Sequence, residues 1–151
     1  MLLSIIEKVI PDMDKPPLKD SRPSTPVRLS LLWAALMSLY IYNDYFSMYL
    51  PGTVDDMVAG RIGPLGTATD GVLIGVSLML AIPALMIALS SLVPPAISRW
   101  GNIVLGVLYT LIEILTFIGS RPFYQMVVAF EILITGLIVW SAVRWPREES
   151  Q

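Results

Sequence analysis

Apolar residues in this chain come in long unbroken runs rather than in the narrow stripes of a water-soluble helix. Four runs reach or approach the roughly 20 residues that cross a bilayer core about 30 Å thick. They predict helical spans over about 28–50, 71–93, 102–120 and 123–143. Pro51-Gly52, Pro94-Pro95 and Arg121-Pro122 stop the first three, and Arg144 and Pro146 follow the fourth. The turn between the third and fourth runs is very short, which predicts an antiparallel hairpin. The expected fold class is all-α: an integral membrane four-helix bundle built from residues 27–146.

Polar and small residues inside the runs recur at helical spacing. In the third run, Asn102, Gly106, Tyr109, Glu113, Thr116 and Ser120 follow alternating four- and three-residue steps, which keep to one side of a helix. In the first, Ser30, Met37, Tyr40, Asp44 and Ser47 share a face. In the second, Ser77, Ala81, Ala84, Ala88 and Ser91 form a stripe of small residues, and Gly71 and Gly75 stand four apart. Small residues let membrane helices approach closely. Pro83 interrupts this second run and is expected to kink it. In the fourth, Glu131 and Thr135 lie together beside Gly136. Burying these faces against one another leaves every backbone polar group satisfied within its own helix, as a bilayer requires.

The flanks differ. Residues 1–10 place Leu2, Leu3, Ile6, Val9 and Ile10 at helical spacing, which predicts a short amphipathic helix on the membrane surface, or a docking segment for a partner. Residues 11–26 are rich in proline and charge and read as a linker. Residues 147–151 form a polar tail. No signal peptide is expected, because no basic segment precedes the first apolar residues and no small-residue cleavage site follows them. In the 51–70 connection, Thr53-Val54-Asp55-Asp56 resembles a capping box opening a short helix through Val58. Asp55 and Asp56 suit a helix start, with a calcium site as the weaker alternative. Gly60, Gly63 and Gly66 predict turns.

Composition agrees with the runs. The chain is 55% hydrophobic and 15% charged, against about 25% charged for soluble domains. A net charge of −2 gives no basic surface for nucleic acid. Cysteine and histidine are both absent. That excludes disulfides and thiolate zinc, and removes the usual ligands of haem and iron–sulfur clusters, so no cofactor is expected. Lys8, Lys15, Lys19, Arg22, Arg28, Arg99, Arg144 and Arg147 fall on one side of the predicted topology, and only Arg61 and Arg121 on the other. The positive-inside rule then puts both termini in the cytoplasm. Trp33, Trp100, Trp140 and Trp145 fall near the predicted cytoplasmic surface, and Tyr45, Phe46, Tyr49, Phe123 and Tyr124 near the outer one. These positions read as interfacial anchors.

Three carboxylates, Asp44, Glu113 and Glu131, sit in the apolar runs with no cationic side chain among them. An intramembrane acid is costly, and acids of this kind mark functional sites or interhelical contacts. A rise of 1.5 Å per residue places all three roughly 9–12 Å below the outer surface. Ser77 reaches the same level, with Asn43, Tyr40, Tyr109, Thr110 and Thr135 near enough to join. Three ionised acids so close would repel strongly in a low dielectric, so some carry a proton or a cation compensates them. Oxygen donors of this kind suit a hard cation. Tyr40 and Tyr109 would equally suit an organic cation, and the acids alone a proton relay. Protonated acids that simply hydrogen-bond across helices are the structural alternative.

The runs LLWAALMSLYIYNDYFSMYLPG, MVAGRIGP, RWGNIVLGVLYTLIEI and VRWP, in this order, resemble a family of small bacterial membrane proteins of uncharacterised function with four spans. The resemblance covers about residues 28–146. It implies a bacterial inner-membrane location and carries no activity, and Asp44 matches a family acid. Small multidrug exporters also have four spans and a membrane glutamate, but this chain lacks their acid early in the first span.

The sequence thus supports a small polytopic protein that binds or translocates a cation or proton through Asp44, Glu113 and Glu131. A non-catalytic accessory subunit of a larger membrane complex, or a homo-oligomer, is the second reading. An intramembrane enzyme acting on lipid or quinone is the least supported, because no nucleophile–base pair is present. The lipid bilayer is the expected surrounding in every case.

Overall fold

The computed structural model describes residues 21–146, and over them the chain is mostly helical. Helix α1 (Thr25–Ser47) is followed by the short α2 (Thr53–Val58) and by strands β1 (Arg61–Ile62) and β2 (Gly66–Thr67), joined through a 3₁₀ turn at Gly63–Leu65. Three long helices complete the chain: α3 (Asp70–Leu92), α4 (Pro95–Phe117) and α5 (Pro122–Val143). The amphipathic helix expected at 1–10, most of the 11–26 linker and the 147–151 tail lie outside the described residues.

Proline shapes three of the four long-helix starts. Pro26, Pro95 and Pro122 each occupy the first turn of their helix, where the missing N–H is one that would go unpaired anyway. The fourth start, of α3, is capped by Thr69, whose Oγ1 accepts a hydrogen bond from the Val72 amide at 3.4 Å. The Pro94-Pro95 pair was expected to end a span and lead into a connection. It does end α3, but Pro95 also opens α4, seven residues before the expected start at 102. Helix α1 lies three residues earlier than the 28–50 reading at both ends.

Three helices, α3, α4 and α5, are long and apolar enough to cross a membrane, which suggests a membrane protein. Helix α1 is as long, at 23 residues, but Arg28, Asn43, Asp44 and three tyrosines make it more polar, and it falls outside that class. Helix α5 packs along α4 and along α1, α1 packs along α3, and α3 meets α4 over a smaller area. Side-chain bonds fix the directions. Ser30 pairs with Ser91, Trp33 with Asn102, Tyr40 with Glu113, and Thr135 with Glu113. Residue numbers therefore rise together in α1 and α4 and run oppositely in α3 and α5. Gly106 allows the closest approach: a Cβ there would stand 2.8 Å from Val139 Cγ2.

The interior holds Leu29, Trp33 and Leu36 of α1, Met86 of α3, Tyr109 of α4, and Ile138 and Ala142 of α5. Large apolar residues such as Leu78, Leu85, Val104, Leu115 and Leu133 face outward, as lipid-facing positions would.

Two expected faces are corrected. The inward face of α1 carries Leu29, Trp33, Leu36 and Asn43, with Tyr40 half-buried, rather than the stripe ending at Asp44 and Ser47. In α3 the small residues Ser77, Ala81, Ala84 and Ala88 are exposed, and Pro83, Met86 and Ser90 are buried instead. Both sides of α3 are apolar, so periodicity alone could not say which side meets the other helices. A Cβ at Gly71 or Gly75 would meet nothing within 4 Å, so the pair mediates no close approach here. Trp33, expected as an interfacial anchor, is fully buried.

The loop after α1 forms the expected short helix without the expected cap. Its N-cap is Gly52, at φ 86°, and Thr53 is already the first helical residue with no side-chain cap bond. Gly60, Gly63 and Gly66 all take positive φ and enclose a two-residue antiparallel pair, Arg61 opposite Thr67 and Ile62 opposite Gly66.

Candidate functional site

The face of α4 anticipated from spacing is buried from Asn102 to Glu113, but Thr116 is exposed and Ser120 lies beyond the end of the helix. Asn102, Gly106, Tyr109 and Glu113 all point inward. Glu113 is only 3% exposed, so both carboxylate oxygens need donors. The Tyr40 hydroxyl donates to Oε1 at 2.8 Å, and the Thr135 hydroxyl to Oε2 at 2.8 Å. Glu113 thereby joins α1, α4 and α5. Thr135 Oγ1 also lies 3.1 Å from the carbonyl oxygens of Glu131 and Ile132. A hydroxyl has one proton, so the bond to Glu113 competes with those to its own helix.

Glu131, one turn before Thr135, is also 3% exposed. Its Oε1 accepts no hydrogen bond from any described residue, and neither does Oδ1 of the buried Asn43 on α1. An unpaired buried acceptor costs about 1–3 kcal/mol, and folded proteins leave few of them. Both residues line a cavity of about 160 Å³.

The cavity has two kinds of wall. Tyr40, Asn43 and Asp44 of α1, Glu113 of α4 and Glu131 of α5 supply oxygen and amide groups, with Tyr109 and Tyr124 adding aromatic rings. Val76, Met79 and Leu80 of α3 and Ile112 of α4 supply an apolar surface. Asp44 is exposed, unlike the two glutamates, and so forms part of the rim. Counted along their helices, Asp44 and Glu113 lie about 5–6 Å from the loop ends of α1 and α4, and Glu131 about 14 Å into α5.

The eight residues singled out from sequence divide as follows. Tyr40, Asn43, Asp44, Tyr109, Glu113 and Glu131 line the cavity, and Thr135 reaches it through its bond to Glu113. Ser77 does not belong. It is exposed and does not line the cavity, to which α3 contributes Val76, Met79 and Leu80. Tyr109 lines the cavity, and its hydroxyl donates to the Met79 carbonyl. Thr110, half-buried, bonds back to the Gly106 carbonyl and does not line it. Two further residues line the cavity: Thr116, which the sequence reading put on the face of Glu113 but not in the site, and Tyr124, which it took as an interfacial anchor. Each lies on the same helix face as an acid, Thr116 three residues after Glu113 and Tyr124 seven before Glu131, and that spacing was the available signal. Among the described residues, no group of three or more Asp, Glu, His or Cys could hold a metal ion together.

A second polar group lies toward the other end of the helices and is satisfied internally. Trp33 Nε1 donates to Asn102 Oδ1 at 2.7 Å, and Ser90 Oγ donates to the same oxygen at 3.2 Å. Asn102 Nδ2 donates to the Ser98 carbonyl at 2.8 Å, and Ser98 Oγ to the Ser90 carbonyl at 2.8 Å. Its bonding is closed, which marks it as packing between helices rather than a receptive site.

Residues 22–151 match a family of unknown function, DUF6326. The chain belongs to that family. No curated protein and no solved structure matches it. The DUF6326 match includes α1, the loop and all three apolar helices, so every lining residue of the cavity falls within it.

Proposed function

We propose that this DUF6326 protein is a four-span bacterial inner-membrane protein that binds or translocates a cation or proton through the cavity between its helices. In this reading α1 is the fourth span, the four long helices form a bundle, and both termini are cytoplasmic. The excess of lysine and arginine on the terminal side supports that orientation. A polar helix such as α1 is tolerated in a bilayer when its polar side faces protein, and Asn43 and Tyr40 do face inward.

One observation carries the reading. Two buried acceptors, Glu131 Oε1 and Asn43 Oδ1, lack donors beside a cavity that a second buried acid, Glu113, also lines. A proton on Glu131 would supply a donor directly, and a cation in the cavity would offset the charge of the lining acids without touching these two oxygens, which have no accessible surface. The other reported acid, Asp44, would attract that species at the rim.

The test is thermal unfolding of the purified protein in detergent across pH and across added cations, for the parent and for E113Q, E131Q and D44N. The expected result is stabilisation by acid or by a cation that is lost in E131Q. Identical responses in the parent and all three variants would overturn the proposal.

The outward stripe on α3 supports a second reading, an accessory subunit of a larger complex. Ala81, Ala84 and Ala88 are exposed and would let a partner helix approach closely. Mass measurement after gentle solubilisation separates the two: a lone monomer counts against the subunit reading.

A further inference from the structure

We infer that the cation held at this site is a proton, carried by the Glu131 carboxyl and donated to Asn43 Oδ1, while the neighbouring Glu113 is the ionised acid. This rests on the cation-or-proton reading above and narrows it to the proton.

Charge comes first. Glu113 and Glu131 are each 3% exposed and line one cavity. No lysine or arginine lines it. Its other titratable groups are Tyr40 and Asp44 from α1, Tyr109 from α4 and Tyr124 from α5, while α3 contributes only Val76, Met79 and Leu80. Two ionised carboxylates in such surroundings repel each other, and nothing cationic on the walls offsets the loss of water around them. One of the two glutamates is therefore neutral.

Hydrogen bonds decide which. Glu113 receives a hydroxyl on each oxygen, from Tyr40 and from Thr135, both at 2.8 Å. An ionised carboxylate only accepts, so this arrangement suits the charged form. Glu131 has the opposite surroundings. Its Oε1 receives no donor, and the Asn43 side chain that lies against it presents an unpaired acceptor, Oδ1. One proton on Oε1, donated to Oδ1, gives both sealed atoms a partner at once. Turning the Asn43 amide over would present N–H to Glu131 instead, but would leave both buried glutamates ionised.

Thr135 gives the pair room for a second proton. Its Oγ1 stands 2.8 Å from Glu113 Oε2 and 3.1 Å from the Glu131 carbonyl oxygen. A proton arriving on Glu113 Oε2 is donated to Oγ1, and the Thr135 hydroxyl turns its own hydrogen to that carbonyl. The site thus passes from one proton to two with every group still paired.

The experiment is infrared spectroscopy of the full chain in detergent, with the glutamate carboxyls isotopically labelled so that acid and carboxylate are read separately. At neutral pH the parent is expected to show a protonated glutamate that disappears in E131Q and persists in E113Q. Asn43→Leu removes the acceptor and should move that band to the position of an acid without a hydrogen-bond partner. A merely structural role for Asn43 would not do this. E131Q should fold and melt like the parent at neutral pH, because its amide N–H can donate to Oδ1 in place of the acid. Absence of a protonated glutamate in the parent, its survival in E131Q, or its loss in E113Q would each overturn the assignment. If sodium, potassium or calcium then stabilises the parent and not E131Q, the broader cation reading stands without the proton. If neither pH nor any of these ions separates the parent from E131Q in thermal unfolding, both fail.

Discussion

The Tyr109 hydroxyl donates a hydrogen bond to the carbonyl oxygen of Met79, four residues before Pro83 in the neighbouring helix. A proline lacks the amide hydrogen that would bond that carbonyl. Tyr109 replaces the missing donor from another helix, and so ties α4 to α3 at the point where the ladder of α3 is broken. Tyr109→Phe is expected to cost about 1 kcal/mol in an unfolding titration. The cost should shrink in a Pro83→Ala background, where the residue 83 amide can bond Met79 itself. Equal costs in both backgrounds would show that the two groups are not coupled.

Gly106→Ala should destabilise by about 1–3 kcal/mol. The new Cβ would meet Val139 Cγ2 at 2.8 Å, and a valine in a helix has little rotamer freedom to move aside. Val139→Ala should recover most of the loss when the two changes are combined. Melting temperatures of the single and double variants decide it.

Asn102→Leu keeps nearly the same volume but strips the acceptor from Trp33 Nε1 and Ser90 Oγ. Stranding the buried indole N–H should cost about 1–3 kcal/mol. Ser98→Ala should cost less, because Asn102 Nδ2 keeps its bond to the Ser98 carbonyl. Denaturant midpoints of the two variants would reverse in order if the cluster were held from the Ser98 side instead.

Asp44 is exposed, and Glu131 is buried without a donor on one oxygen. Asp44→Asn is therefore expected to leave ligand-free stability within about 0.5 kcal/mol of the parent. Its effect on the cation response should be weaker than that of Glu131→Gln. A larger effect from Asp44 in the same titration would move the binding locus to the rim.

Asp56 and Arg61 form an ion pair with side chains 47% and 54% exposed. Exposed pairs contribute little, so Arg61→Ala should change stability by less than about 1 kcal/mol. A larger loss in the unfolding titration would mean that the β1–β2 turn depends on the pair.

The helices were legible because apolar run length and proline positions are local. Pro122 and the turn before it located α5 to within one residue of the reading. The buried face of α4 was legible too, since Asn102, Tyr109 and Glu113 are polar among leucines and isoleucines, and polar groups in apolar surroundings turn toward partners. Helix α3 offered no such contrast. Its alanines and leucines are compatible with lipid or protein, and the side that packs is set by α1 and by Tyr109. Trp33 was misjudged for a related reason: a tryptophan near a span end suits an interface, and only the position of Asn102 shows that its N–H has a buried acceptor.

By itself the sequence determined that long apolar helices form, where most of them turn, and that acids lie within or beside them. These follow from composition and backbone chemistry within a few turns of chain. Tertiary packing alone decided that Glu113 is satisfied by Tyr40 and Thr135, that Asp44 stays on the rim, and that Ser77 faces away. Those outcomes depend on how each helix is rotated about its axis, a quantity that only contacts between residues distant in the chain can set.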